Sequence, residues 1–271
     1  MSFHPVTSRE YKLMLRPAPF RGDEQSLIDT ARTFWNEYVG MLGNLVLSEK
    51  GRLENVKRRR DIRFFDTVDH QLNGSDYAFR ERIERGGERD GRREATLKFR
   101  HQDRYIARGR DLDPADDEHA ETKFEEDIKP PFLKLFSYST KQRIGDDVPL
   151  ATLGDVAGLF PGLEKDLDGY DGGEPLTVVG GFTAHEIVID GGELQLGRDK
   201  GEEAECALVV WYGADLEDPA VAEFSFKYAD DHEDYGKKVA ARAFEAFAMV
   251  QRMEDWVDPE SLTKTRFVYS R

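Results

Sequence analysis

The chain has 271 residues and a formal net charge of −15 at neutral pH, with a sequence pI of about 4.9. An acidity of this size argues against nucleic acid or an anionic membrane surface as the main partner. The many Phe and Tyr residues exclude a wholly disordered chain, and no apolar run approaches the roughly 20 residues of a membrane-spanning helix. Because the N-terminus has no apolar signal core and Cys206 is the only cysteine, we expect a cytoplasmic protein without an intrachain disulfide.

Hydrophobic periodicity predicts many short strands and two long helices. In chain order, strands are expected at residues 10–15, 52–65, 76–84, 94–100, 122–128, 132–144, 185–190, 193–196, 205–212, 222–228 and 264–269. The first helix is expected to follow the capping residue Asp23 and to run to about Leu42, and the second is expected over residues 236–256. The acidic stretch 111–121 and the Asp- and Gly-rich stretch 158–175 are interpreted as loop insertions. Since no linker separates two self-sufficient cores, we expect one domain over residues 1–271.

Several of the predicted strands alternate charged with bulky side chains. In residues 78–83, Arg80 and Arg82 fall on one face and the bulky residues on the other, because a strand has a period of two. The same kind of pattern places further cations on strand faces at Lys12, Lys98, Arg100 and Arg143. On an open sheet these residues form an ordinary solvated surface. In a sheet that closes with the charges inside, they match the oxygens of a polyanion such as a triphosphate.

Carboxylates accompany these cations on the predicted strands. Glu10 shares a strand face with Lys12, and other candidates are Glu125, Asp190 and Glu223. Carboxylate oxygens on adjacent strands can hold Mg²⁺ or Mn²⁺, and such a metal polarises a phosphoryl oxygen or activates a water. The alternative is that these acids are counter-ions of the arginines. The sequence has no P-loop, dinucleotide-binding, zinc or G-x-S-x-G nucleophile motif.

The order of these runs resembles the CYTH superfamily, the triphosphate tunnel metalloenzymes of the adenylate cyclase and thiamine triphosphatase type. The resemblance covers almost the whole chain in short pieces, which are Glu-x-Lys at 10–12, Phe-Phe-Asp-Thr at 64–67, Arg-x-Arg at 80–82, Leu-Lys at 97–98, Glu-x-Ser-x-Lys at 223–227 and Lys-x-Arg-Phe at 264–267. It implies an α+β fold in which a closed eight-stranded antiparallel barrel has a charged lumen and helices packed outside. It also implies that a triphosphate binds in the lumen with Mg²⁺ or Mn²⁺.

The resemblance implies a role for particular residues. Lys12, Arg80, Arg82, Lys98 and Arg143 are similar to the phosphate-binding cations of the family, and Glu10, Asp190 and Glu223 to its metal-binding acids. Together with the strand pattern, this gives Glu10, Lys12 and Glu223 as candidate catalytic residues, Arg100 as a further phosphate contact and Glu125 as a further metal ligand. Two positions depart from the family, because Ser8 and Ser225 stand where it commonly has glutamates.

Four functions remain open at this point. The leading one is a metal-dependent phosphohydrolase that acts on a linear triphosphate, inorganic or organic. The serines at positions 8 and 225 favour an alternative, a tunnel that binds polyphosphate or a nucleotide without turnover. An adenylate cyclase of the class IV type ranks lower, since the sequence has no feature that reads adenine. The last alternative is a structural β-domain with a solvated charged face.

Overall fold

The computed structural model describes residues 5–199, 201–260 and 263–271. Its strands are β1 (Ser8–Leu15), β2 (Ser48–Lys50), β3 (Asn55–Asp66), β4 (Tyr77–Glu84), β5 (Arg93–His101), β6 (Ala120–Lys129), β7 (Leu133–Ile144), β8 (Thr177–Gln195), β9 (Glu203–Tyr212) and β10 (Pro219–Ala229). Its α-helices are α1 (Glu24–Leu42), α2 (Gln71–Gly74), α3 (Arg104–Arg108), α4 (Leu153–Leu159), α5 (Leu163–Asp166), α6 (Lys237–Val250) and α7 (Lys264–Tyr269). None of the helices in these described ranges is long and apolar enough to cross a membrane.

The strands of the described residues form one sheet in the order β2-β8-β3-β4-β5-β7-β6-β1-β10-β9, and β8 also pairs with β9. All of them except β2 therefore form a closed ring of nine hydrogen-bonded strands, which is the connectivity of a β-barrel. A ring with an odd number of strands cannot be antiparallel throughout, so at least one neighbouring pair is parallel. The expected closed barrel is confirmed, whereas the expected count of eight strands and the fully antiparallel order are wrong.

The chain divides into two compact units. Unit 1 comprises Met1–Arg59, Glu126–Lys134 and His185–Thr263, and unit 2 comprises Arg60–Glu125, Leu135–Ala184 and Lys264–Arg271. The boundaries fall inside β3, β6, β7 and β8, so each of these strands contributes residues to both units. The expectation of a single domain stays a prediction.

In unit 1, aromatic residues pack one face of the sheet against α1 and α6. Tyr11 of β1 stacks on Phe226 of β10 with ring centroids 4.7 Å apart, and Phe247 of α6 lies edge-on to Tyr11 at 5.3 Å. Phe34 of α1 meets Phe224 of β10 edge-on at 5.0 Å. Each such ring contributes roughly 1.5–3 kcal/mol through its burial. Because side chains alternate along a strand, the residues between these aromatics point to the opposite face.

In unit 2, the helices α4 and α5 cover one face of β4, β5 and β7. Phe160, which ends α4, lies edge-on to Phe79 of β4 at 6.3 Å. The hydroxyl of Tyr77 donates to Asp166 of α5 at 2.6 Å. The helix α5 and the last two residues of α4 lie inside the stretch 158–175, which is otherwise turn and loop, as expected. The expected loop is therefore interrupted by one short helix, whose Leu163 is buried.

The last predicted strand is a helix. Residues 264–269 have the β-branched and aromatic composition of a strand, but they form α7. Instead of pairing with a strand, α7 packs against other residues of unit 2 through its side chains. Tyr269 donates to Asp66 at 2.8 Å, and Phe267 meets Phe182 edge-on at 5.7 Å.

Two further boundaries differ from expectation. The strands predicted at 185–190 and 193–196 are parts of the single strand β8, with a bulge between Ile189 and Gly192. The second long helix ends at Val250 instead of residue 256. The segment after it turns back to the sheet, where Val257 forms an isolated antiparallel bridge with Leu15.

Candidate functional site

The face of β4, β5 and β7 that lies opposite α4 and α5 is rich in cations. Directly paired residues of antiparallel strands share a face, and the register pairs Arg80 with Thr96, Arg82 with Glu94, and Lys98 with Ser139. We call it the cationic face, and its polar residues are Arg80, Arg82, Glu94, Thr96, Lys98, Arg100, Ser137, Ser139, Lys141 and Arg143, together with Glu121, Lys123 and Glu125 on β6. The cations predicted on these three strands therefore lie on one face, while their role stays a prediction.

Two cations of this face, Lys98 and Arg82, have carboxylates nearby at longer distances. Lys98 is only 8% exposed, and its Nζ lies 3.8 Å from Glu125 Oε2, which is an ion pair beyond hydrogen-bond length. Arg82 donates to Glu94 at 3.3 Å. A buried charge is costly unless it is well compensated. Lys98 and Arg82 thus place positive charge in a part of the sheet that is largely withdrawn from water.

Glu121 shows the electrostatic character of the cationic face. It accepts hydrogen bonds from Lys123 and Lys141, each with an N–O distance of 2.7 Å. Burial by itself disfavours the charged carboxylate, but these two lysines outweigh it and lower the pKa of Glu121 to about 2. The carboxylate is therefore ionised throughout the physiological range, and the surrounding field favours anions.

The predicted phosphate contacts of unit 2 differ in how far they are exposed to solvent. Lys98 is buried, and Arg80, Arg82 and Arg100 are half-buried, whereas Arg143 is exposed near the end of β7. The first four can act on a ligand with less solvent screening than Arg143 can.

Glu81, which lies between Arg80 and Arg82 on β4, points to the opposite face of the sheet. Glu81 is fully buried and accepts hydrogen bonds from Arg63 at 3.0 Å and from Arg93 at 2.6 Å. Arg93 also donates to the backbone carbonyls of the loop that follows β7. This buried network ties β3, β5 and the loop to β4 and fixes the strand from which Arg80 and Arg82 project.

In unit 1, the sheet face opposite α1 and α6 is rich in acids. The register pairs Glu10 with Lys227, Lys12 with Ser225, and Met14 with Glu223. We call it the acidic face, and its polar residues are Ser8, Glu10, Lys12, Asp127, Glu186, Glu205, Glu223, Ser225 and Lys227. Ser8 and Ser225, which stand in the place of two glutamates, are both buried here.

Lys12 links two carboxylates of the acidic face. Its Nζ lies 2.8 Å from Glu10 and 2.9 Å from Asp127, which is 1% exposed. The carboxylate oxygens of Glu10 and Asp127 approach within 4.8 Å of each other. Glu125 lies two residues before Asp127 and therefore on the same face of β6. Oxygen donors of this kind fit Mg²⁺ or Mn²⁺, which prefer carboxylate ligands.

The two late acids predicted for a metal site have different surroundings. Glu223 is buried on the acidic face, between Met14 of β1 and Val209 of β9. Asp190 lies at the bulge of β8, and its carboxylate binds Lys57 Nζ at 2.6 Å. The structure therefore keeps Glu223 on the same face as Glu10 and gives Asp190 a lysine partner of its own.

Two buried acids of the acidic face were not among the predicted site residues. Asp127 binds Lys12, and Glu186 is 3% exposed and accepts a hydrogen bond from the Trp211 indole at 2.8 Å. The period of two in Glu125-x-Asp127 was the signal for the first, because it places both carboxylates on one face. Glu186 gave no such signal, since its partner comes from another strand.

Comparison with known proteins gives likeness in structure only. No protein-family model and no curated protein matches the chain. An adenylyl cyclase candidate from Hippeastrum, described as having a dominant triphosphatase activity, is 12% identical with a TM-score of 0.47, and the match covers 98% of this chain and 97% of that one. An adenylate cyclase candidate from Bacillus halodurans is 12% identical with a TM-score of 0.43, covering 98% and 99%. One from Vibrio parahaemolyticus is 10% identical with a TM-score of 0.35, covering 96% and 95%.

Proposed function

We propose that this protein is a metal-dependent phosphohydrolase that acts on a linear triphosphate, inorganic or organic. The observation that carries the proposal is the cationic face, where Arg80, Arg82 and the buried Lys98 project from one side of a sheet whose other side is covered by helices. A row of cations withdrawn from water suits a ligand that carries several anionic groups in a row.

In this proposal the chain's cations hold the phosphates and stabilise the charge that develops on their oxygens in the transition state. Arginine binds phosphoryl oxygens through its fork of donors, and Lys98 and Lys12 add point charges. The ammonium of Lys12 lies between Glu10 and Asp127. A change in the charge around these acids would therefore change how strongly Lys12 attracts a phosphate.

The acids Glu10, Asp127 and Glu223, with Glu125 on the same strand face as Asp127, would hold the Mg²⁺ or Mn²⁺. A bound metal would neutralise part of the phosphate charge and polarise a phosphoryl oxygen. Glu125 and Asp127 lie on one face of β6. A carboxylate that the metal leaves free can orient the attacking water, and no covalent nucleophile is needed.

Phosphate release tests this proposal. Purified protein is incubated with tripolyphosphate, ATP or thiamine triphosphate, each with Mg²⁺, with Mn²⁺ or with EDTA. We expect steady release from at least one substrate with a metal and none in EDTA. Tight binding without release from any triphosphate would reject the phosphohydrolase.

The second candidate is a tunnel that binds polyphosphate or a nucleotide without turnover. The buried Ser8 and Ser225 on the acidic face favour it, because each removes an acid from the predicted metal site. This candidate predicts a higher thermal midpoint with tripolyphosphate in EDTA and no hydrolysis after a metal is added. Replacement of Ser225 by Glu, or of Ser8 by Glu, then tests whether a restored acid brings turnover.

A further inference from the structure

We propose that the hydroxyls of Thr96 and Ser137 are direct contacts to the ligand, as neutral donors that lie among the cations of the cationic face. This inference rests on the proposed binding of a phosphate chain. It adds to that proposal two uncharged residues that recognise phosphoryl oxygens.

The two hydroxyls are buried and lack a hydrogen-bond partner within the described residues. Thr96 is 3% exposed and Ser137 is fully buried, and their Oγ atoms form no hydrogen bond there. Buried hydroxyls in folded proteins nearly always have a partner, so each exception asks for an explanation. A ligand that accepts their protons provides one.

Their positions direct them to the ligand side of the sheet. The register pairs Thr96 with Arg80 on one neighbouring strand and with Lys141 on the other, and it pairs Ser137 with Arg100. Thr96 lies two residues before Lys98 on β5, and Ser137 is diagonal to Lys98 across β5 and β7. The two hydroxyls thus flank the most buried cation of the face.

A hydroxyl on the other side of the same strand shows the contrast. Thr140 of β7 lies on the helix-covered face, is fully buried and shares a hydrogen bond of 2.8 Å with the Thr122 hydroxyl. In unit 2, this buried hydroxyl with a structural role therefore has a hydrogen-bond partner. Thr96 and Ser137 differ from Thr140 in facing the cations.

The chemistry fits the oxygens of a phosphate chain. A hydroxyl donates one hydrogen bond to an anionic oxygen and adds no charge, so it strengthens binding where more cations would repel one another. Arg80, Lys98 and Arg100 attract the ligand, and the two hydroxyls then bind those oxygens that the cations leave unsatisfied.

The test uses tripolyphosphate as the probe, in EDTA, with the full chain. In Thr96→Val and Ser137→Ala we expect the Kd to rise about tenfold each, since each loses a hydrogen bond to a charged group. The thermal midpoint of the ligand-free variants should stay unchanged or rise, because a buried hydroxyl without a partner has been removed. The matched control is Thr140→Val, which should lower the thermal midpoint and leave the Kd within about twofold.

The outcomes separate this inference from the proposed function. If the wild type binds tripolyphosphate and both variants bind it equally well, the inference is wrong and the proposed function stands. If the variants bind more weakly but also lose thermal stability, the hydroxyls have a structural role and the inference is again wrong. If the wild type binds no tripolyphosphate, the proposed function fails and this inference fails with it.

Discussion

The two units of the chain have the same arrangement of helices on a sheet, but the polar faces of their sheets carry opposite charge. In each unit helices cover one face of the strands, and the other face is polar. In unit 2 this polar face is dominated by arginines and lysines around Lys98, whereas in unit 1 carboxylates around Lys12 dominate it. Under the proposed function we expect a division of labour in which the cations hold phosphates and the acids hold a metal.

The largest expected effect separates turnover from binding on the acidic face. We expect Asp127→Asn to lower phosphate release about 100-fold or more, because a carboxylate ligand supplies several kcal/mol of transition-state stabilisation through the metal. Tripolyphosphate binding in EDTA should tighten, since Lys12 loses one of the two acids that neutralise it. Steady-state release and calorimetric titration measure the two quantities.

The control for this variant is Glu205→Gln, on the same face but exposed and at 4.0 Å from Lys227. It should change neither quantity by more than about twofold, as expected for an exposed pair. Weaker tripolyphosphate binding by Asp127→Asn in EDTA would contradict the expectation that the cations hold the phosphates and the acids hold the metal.

The next effect concerns the cationic face. Arg80→Ala and Arg82→Ala should each weaken tripolyphosphate binding by more than tenfold, because each loses charge-assisted contacts of roughly 1.5–3 kcal/mol. Titration in EDTA measures the loss. Arg85→Ala is the matched control, since Arg85 belongs to the same chain segment but is exposed and bound to Asp61. Equal affinity in all three variants would leave the cationic face without a function.

A smaller effect is expected in the dependence of stability on pH. The pKa of Glu121 is lowered to about 2 in the folded protein, below the ordinary value of about 4.3 for glutamate. Its stabilising contribution is therefore complete above the ordinary pKa and is lost as the pH falls from about 4 to about 2. Urea unfolding at pH 7 and pH 3 should show that Glu121→Gln loses up to about 1 kcal/mol at pH 7, a value limited by the partial exposure of the group, and less at pH 3. An equal loss at both pH values would refute the ion-pair account.

The smallest effect is expected for Arg143. It was predicted as a phosphate contact, but it is exposed near the end of its strand. Screening by water and salt reduces its attraction for a ligand, so Arg143→Ala should weaken tripolyphosphate binding by no more than about threefold. A loss as large as that of Arg82→Ala would show that the ligand extends to the end of β7.

Sequence reasoning succeeded where side-chain alternation decides the structure. The period of two around Arg80 and Lys98 correctly placed the cations on a common face, and the cap at Asp23 correctly began α1. It failed where contacts between residues distant in sequence decide the structure. Residues 264–269 have strand composition, yet they form a helix that contacts Asp66 and Phe182 through its side chains.

The same limit applies to the candidate site. Asp127 could be predicted from its spacing to Glu125, but its bond to Lys12 depends on which strands are neighbours. Thr96 and Ser137 are buried and have no hydrogen-bond partner among the residues that the structure describes, and this depends on the packing around them, which no local pattern shows. Asp190 was predicted as a metal ligand from a resemblance, whereas the bulge of β8 gives it Lys57 as a partner.

The most direct test of the central claim is calorimetric titration of tripolyphosphate into the wild type and into the double variant Arg80→Ala, Arg82→Ala, both in EDTA. We predict saturable binding to one site on the wild type, weaker at higher salt because the contacts are ionic, and no measurable binding to a folded double variant. Wild-type affinity in the double variant, or no binding to the wild type at low salt, would contradict the account.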